Sequence, residues 1–257
     1  MTWQSCLLFD VKAPKALYAF IFCGTVSSYN FHWFLTRQGE RVSKKISFNI
    51  HNRQLHFVLS ISALLASAWF AFLLIDHFHY LAITALFTFI YSAPKIPLPS
   101  FNIFRRLAIG KTIFLSLAWM HVTSGLPLLI GGLTSTTGFV FYLVNRFFFI
   151  YCICIIFDYR DREIDKKENI RSMITAFSEK GINRLFWTSF FIFLASSILL
   201  LPYFTYLEIA ILLLPGVPLG LLYGYFKKHT SDFNYYFVLD GLMILSAPLM
   251  VLAKFAR

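Results

Sequence analysis

The sequence predicts an all-α polytopic transmembrane bundle of about eight spans, forming one domain over residues 1–257, and three observations point there. The chain is 58% hydrophobic and only 14% charged, with a mean hydropathy of +0.67, whereas a soluble domain averages about 25% charged residues. Its apolar runs recur at lengths near the roughly 20 residues that a helix needs to cross a bilayer. Lysine and arginine gather in every second connector between those runs, as the positive-inside rule requires. No alternating ten-residue segments of a membrane barrel are present. Helices are then the remaining way to satisfy backbone polar groups in lipid.

Apolar runs read against polar punctuation place the spans at about 13–35, 55–75, 79–93, 107–130, 135–157, 184–202, 206–226 and 234–253. The third is short and ends at Pro94, Pro97 and Pro99; the fourth ends at Gly131-Gly132; the seventh ends at Lys227-Lys228. Within the seventh, Gly216, Gly220 and Gly224 recur every four residues, a spacing that lets helices approach closely. Most of the chain's 23 basic residues sit in the 36–54, 94–111, 158–184 and Lys227 connectors, and the intervening connectors hold none. Those basic connectors are therefore expected on the cytoplasmic side of a bacterial cell membrane. Single cysteines placed beside Arg41, Arg105 and Lys167 should resist an impermeant thiol reagent in intact cells; labelling at any of them would overturn the orientation.

Eight spans leave both ends outside, although Lys12 and Lys15 precede the first span. This conflict predicts a further helix upstream, unless two lysines are too few to decide the matter. The net charge of +11 is spread over short connectors, with no soluble basic face to bind nucleic acid. Cys6, Cys23, Cys152 and Cys154 show no metal spacing and read as small apolar packers.

Charged residues inside or bordering spans carry the chemistry. The fifth span ends in Asp158-Tyr159-Arg160-Asp161-Arg162-Glu163-Ile164-Asp165. At about 100° per residue Asp158, Asp161 and Asp165 fall within roughly 60° of one another on one helical face. Three carboxylates so close repel one another unless a cation lies between them. Hard oxygens of this kind suit Mg²⁺ bridged to substrate phosphates. Arg160, Arg162, Lys166, Lys167 and Arg171 are placed to neutralise a diphosphate. The same spacing also suits a solvated helix end with compensating charges. Arg146, three turns further into the apolar run, needs a partner or a wet cavity, and Asp240 is the candidate partner.

Asp158-x-x-Asp161-x-x-x-Asp165, followed by Lys166 and Arg171-Ser172, resembles the second aspartate-rich motif of the UbiA-type intramembrane prenyltransferases. Asn30, Tyr91-Ser92-Ala93-Pro94, and Lys111 with Trp119 and Pro127 resemble further marks of that family in the same order, from about residue 13 to the end. The resemblance implies a nine-helix bundle with a cytoplasmic amino terminus, so that the family's first helix is absent here, in agreement with the charge conflict. It implies Mg²⁺ held by Asp158, Asp161 and Asp165, and an isoprenyl diphosphate oriented by Asn30, Arg53, Lys95, Lys111, Arg160, Lys166 and Arg171. The prenyl group would pass to a hydrophobic acceptor from the membrane lipid. One departure stands out. The family's first motif has aspartates four and eight residues after its asparagine, where this chain has Phe34 and Gln38. His32 is nearby, but a neutral imidazole suits Mg²⁺ poorly. A terpene cyclase on the same scaffold, a non-catalytic binder of prenyl lipid or protein, and a transporter are the alternative readings.

Overall fold

The computed structural model describes residues 1–35, 52–92, 110–134, 136–167 and 172–255, and their regular structure is entirely helical. In chain order the helices are α1 (Thr2–Leu8), α2 (Lys15–Leu35), α3 (Arg53–Phe72), α4 (Phe78–Ser92), α5 (Lys111–Met120), α6 (Leu126–Ile130), α7 (Thr137–Lys167), α8 (Met173–Ala176), α9 (Glu179–Leu199), α10 (Tyr206–Leu213), α11 (Gly216–Leu221), α12 (Tyr223–Lys228) and α13 (Asp240–Phe255). Two π-helical segments, His121–Gly125 and Asn234–Leu239, join α5 to α6 and lead into α13.

Among the described residues five helical stretches are long and apolar enough to cross a membrane: Arg53–Phe72, Lys111–Ile130, Thr137–Glu163, Glu179–Leu199 and Asn234–Phe255. Their exposed surfaces are apolar. Leu65, Trp69 and Phe72 of α3 are 67%, 61% and 63% exposed, and Phe191 and Ile198 of α9 are each 63% exposed. Contiguous apolar surface of that kind is foreign to a water-facing monomer; a bilayer is its natural solvent. α2 is as long as these helices, but its second half carries Ser27, Ser28, Asn30 and His32. α4 has 15 residues, about 22 Å of helix.

The chain divides into two compact units. One, Ala13–Ala108, is built on α2 and α3. Small residues set their spacing: Ser27 Oγ donates to Ser60 O (2.9 Å), Ser60 Oγ donates to Ser27 O (3.1 Å), and Gly24 faces Ser67. The other unit comprises Met1–Lys12 and Ile109–Arg257, with α7 at its centre, flanked by α9 and α5. An all-round apolar helix belongs in the middle of a bundle. Accordingly the run Phe149 to Ile156 is buried without interruption, against Phe186 and Phe193 of α9 and Leu239 and Leu242 near the start of α13.

α7 has 31 residues, about 46 Å at 1.5 Å per residue, against a hydrocarbon core of about 30 Å. The helix therefore runs on past the expected end at 157 and carries all three aspartates in its last turns. The apolar span ends near 157, and the helix goes on through Asp158–Lys167, as the common helical face expected for the three aspartates requires. The seventh span expected at 206–226 is three short helices instead. Pro215 precedes α11 and Pro218 lies within it, and each removes a backbone donor. Gly216 and Gly220 do permit close approach: a Cβ there would lie 2.5 Å from the Phe193 ring and 2.9 Å from the Phe190 ring, whereas Gly224 faces open space.

The expected Arg146–Asp240 pair is not formed. Arg146 is 1% exposed, and its Nε and Nη2 donate to Asn145 Oδ1 at 3.1 and 2.7 Å. Its guanidinium lies 5.6 and 5.3 Å from the Tyr142 and Phe149 ring centroids, and Nη1 is buried without an acceptor among the described residues. Asn145 is itself anchored to α9, its Nδ2 lying 3.1 Å from Phe193 O, 3.2 Å from Ser196 Oγ and 2.7 Å from Ser197 Oγ. An amide adjacent in sequence thus does what a carboxylate on another helix was expected to do.

Candidate functional site

α5 begins at Lys111, with Gly110 as its N-cap, and runs alongside α7. This packing sets the first residues of α5 opposite the carboxylate-bearing turns of α7. Thr112 is 1% exposed, and its hydroxyl donates to Asp158 Oδ2. The Lys111 ammonium lies 3.6 Å from Asp158 Oδ1 and 3.8 Å from Asp165 Oδ2. Both carboxylates are buried, at 7% and 6% exposure. Residues seven apart on an α-helix are offset by only about 20°, so Asp158 and Asp165 aim at one point two turns apart.

Asp161 does not join them. Its Oδ1 accepts from Arg160 Nε at 3.0 Å, and the same guanidinium donates through Nη2 to the Tyr236 hydroxyl at 3.0 Å. Arg160 stands 5.4, 4.7 and 4.8 Å from the ring centroids of Phe157, Tyr235 and Tyr236. It fastens α7 to the Asn234–Leu239 segment through cation–π contacts. Lys166 pairs with Glu163 at 2.9 Å on the surface. Arg162 donates to Glu179 Oε2 (3.2 Å) and Phe177 O (2.7 Å), and Tyr159 donates to Glu179 Oε1 (2.9 Å). Lys227 also pairs with Glu179 and donates to Asn183 Oδ1 at 2.7 Å. The last turns of α7 are thus clamped to α9 and α12.

Asn30, His32, Phe34 and Arg53 belong to the other unit. Asn30 Nδ2 donates to Val26 O (2.7 Å), while its Oδ1 is 2.7 Å from His56 Nδ1. The His32 ring stacks parallel to Tyr91 with centroids 5.9 Å apart. Arg53 donates through Nε to Phe34 O (3.0 Å) and lies 4.8 Å from the centroid of the Phe34 ring. Phe34 therefore holds a cation by its ring face at the position where the resemblance leads one to expect a carboxylate. Lys95, Arg171 and Gln38 lie outside the described residues.

Of the ten residues expected from sequence, Asp158, Asp165 and Lys111 come together; Asp161 and Arg160 form a separate pair beside them. Thr112 and the Tyr235–Tyr236 pair are additions. A threonine inside a helix and two tyrosines near a span's start carry no sequence signal of their own. Among the described residues no group of three or more His, Cys, Asp or Glu side chains is gathered as a metal site. The donor set still fits one hydrated divalent cation. Mg²⁺ retains most of its waters and needs only one or two carboxylates plus phosphate, and Asp158 and Asp165 offer two converging hard oxygens.

No family model matches the chain, and searches of curated proteins and of solved structures return no match.

Proposed function

We propose that this chain is an integral membrane prenyltransferase of the UbiA type, with about eight spans and its basic connectors at the cytoplasmic border. The observation that carries the reading is the convergence of buried Asp158 and Asp165 on the Lys111 ammonium. Buried carboxylates beside an ammonium suit the ionisation of an isoprenyl diphosphate. In that reaction the allylic carbon–oxygen bond breaks and diphosphate leaves with the electron pair. A lipid or aromatic acceptor attacks the carbon and gives up a proton. Bound Mg²⁺ would supply charge neutralisation for the leaving diphosphate. Asp158 and Asp165 would hold the cation, with Thr112 fixing the orientation of Asp158. Lys111 places positive charge where the leaving group's charge grows. Further into the bundle, the half-buried rings of Trp119 of α5 and Phe147 of α7 are the aromatic side chains that would meet an isoprenyl chain and a developing allylic cation.

One observation favours a second reading, a non-catalytic prenyl-lipid binder. Phe34 stands where a first-motif carboxylate would be, and Asn30 and Arg53 both bond within α2 and α3. The test is incubation of the purified chain with farnesyl or geranylgeranyl diphosphate and Mg²⁺, with and without a lipid extract. Diphosphate release with a prenylated lipid supports transfer. Release with a cyclised hydrocarbon points to a cyclase. Tight binding without release assigns the binder.

A further inference from the structure

We propose that the unit built on α7 binds one small anion, a chloride, in its interior against the Arg146 guanidinium. The site is separate from the aspartates, since Asp158 lies about 18 Å further along α7 at 1.5 Å per residue. A guanidinium cannot shed its proton in a protein, so its charge must be offset where it stands. Its surroundings supply no negative charge. Among the described residues no carboxylate pairs with Arg146, and its partners are the neutral Asn145 amide and the Tyr142 and Phe149 rings. Asn145 Oδ1 accepts from Nε and Nη2, whereas Nη1 is buried and has no acceptor among the described residues.

A second donor is left over on the helix packed there. Ser5 of α1 is bonded to the Tyr142 hydroxyl at 2.8 Å, and Tyr142 stands one turn from Arg146 on the same face of α7. The neighbouring Gln4 is 1% exposed. Its Oε1 accepts from Ser246 Oγ at 3.1 Å, and its Nε2 is buried without an acceptor among the described residues. The oxygens between the two helices are already engaged, because Ser5 Oγ bonds both Thr123 O and the Tyr142 hydroxyl. Donors are what remain, and a lining of donors around an unbalanced positive charge is what an anion requires. Water would take the donors but would not offset the charge, and an uncompensated buried charge costs more than an unmade hydrogen bond. The occupant must also be small. Arg146 and Gln4 are each 1% exposed, which shuts out a phosphate headgroup or a carboxylate on a long chain.

The experiment uses the full chain in detergent, purified into gluconate without chloride. Equilibrium dialysis against radiolabelled chloride should find about one chloride per chain, the occupancy of a single site, displaced by bromide and not by gluconate. Thermal unfolding, followed by tryptophan fluorescence at constant ionic strength, should respond to the same ion. The midpoint should rise with chloride, by about 5–10 °C at about 100 times the Kd. Arg146→Met should bind no chloride and lose that rise. Asn145→Leu/Arg146→Met, which also removes the amide oxygen left idle, should do the same. A parent that binds no chloride overturns the proposal, and so does a rise of equal size in the parent and the two neutral variants. Should neither variant fold, the parent's dialysis decides: one bromide-displaceable chloride per chain supports the site, and none overturns it.

Discussion

Replacing Asn145 by leucine should destabilise the fold by about 3–5 kcal/mol, the cost of stranding a buried charge by removing its partner. Asn145 Oδ1 accepts both hydrogen bonds that Arg146 makes, and its amide reaches three oxygens of α9. The substitution therefore leaves a guanidinium in the apolar interior and unties α7 from its principal neighbour. Cys6, Cys152 and Cys154 are buried thiols outside any disulfide, whereas Cys23 is partly exposed, so in a Cys23→Ser background a thiol-reactive dye in detergent reports unfolding. The midpoint should fall steeply for Asn145→Leu and recover much of the loss in Asn145→Leu/Arg146→Met, because removing both members of a buried polar pair costs far less than removing one. An unchanged midpoint in the single variant would mean that Arg146 is solvated or neutralised by another group.

The helical class and the positions of most spans were legible because hydropathy reads directly on helices that must satisfy their own hydrogen bonds. Polarity marks where an apolar span ends, but it marks neither the end of a helix nor a break inside an apolar run. α7 carries at least the ten residues Asp158 to Lys167 beyond its apolar segment, and the Arg, Glu and Lys among them are good helix formers. The stretch 206–226 is continuous in hydropathy but broken in backbone, because Pro215 and Pro218 interrupt hydrogen bonding that a hydropathy window does not see.

At the site, helical periodicity grouped Asp158, Asp161 and Asp165, and the angular offsets already held the distinction that the structure draws. Asp158 and Asp165 are about 20° apart, with Asp161 off to one side by about 40–60°. Periodicity alone could not say that this offset hands Asp161 to Arg160 and the Tyr235–Tyr236 pair, because those partners come from a distant segment. Arg146 was misread for the same reason. Charge complementarity pointed to Asp240, whereas the solution is a neighbouring amide and two aromatic faces, which leave no charge pattern to find.

The three aspartates should accordingly prove unequal. Asp158→Ala should lower Mg²⁺-dependent binding of farnesyl diphosphate by about 100-fold, and Asp165→Ala by about 10- to 100-fold, the range seen when the support of a metal site is removed. Asp161→Ala should change it by no more than about threefold, as for a half-exposed ion pair, since its carboxylate serves Arg160 at 35% exposure. Asp158→Asn separates charge from shape: it keeps an acceptor for the buried Thr112 hydroxyl and removes only the negative charge facing Lys111. If charge is the point, Asp158→Asn should lose diphosphate binding as fully as Asp158→Ala while keeping the parent's melting midpoint. The measurement is a filter-binding titration of radiolabelled farnesyl diphosphate at several Mg²⁺ concentrations, each variant first checked for its thiol-dye midpoint. Equal losses at all three aspartates would mean that Asp161 swings into the site when the ligand binds. Undiminished binding in both Asp158 variants would remove the cation site altogether and leave Lys111, Asp158 and Asp165 as a structural clamp between α5 and α7.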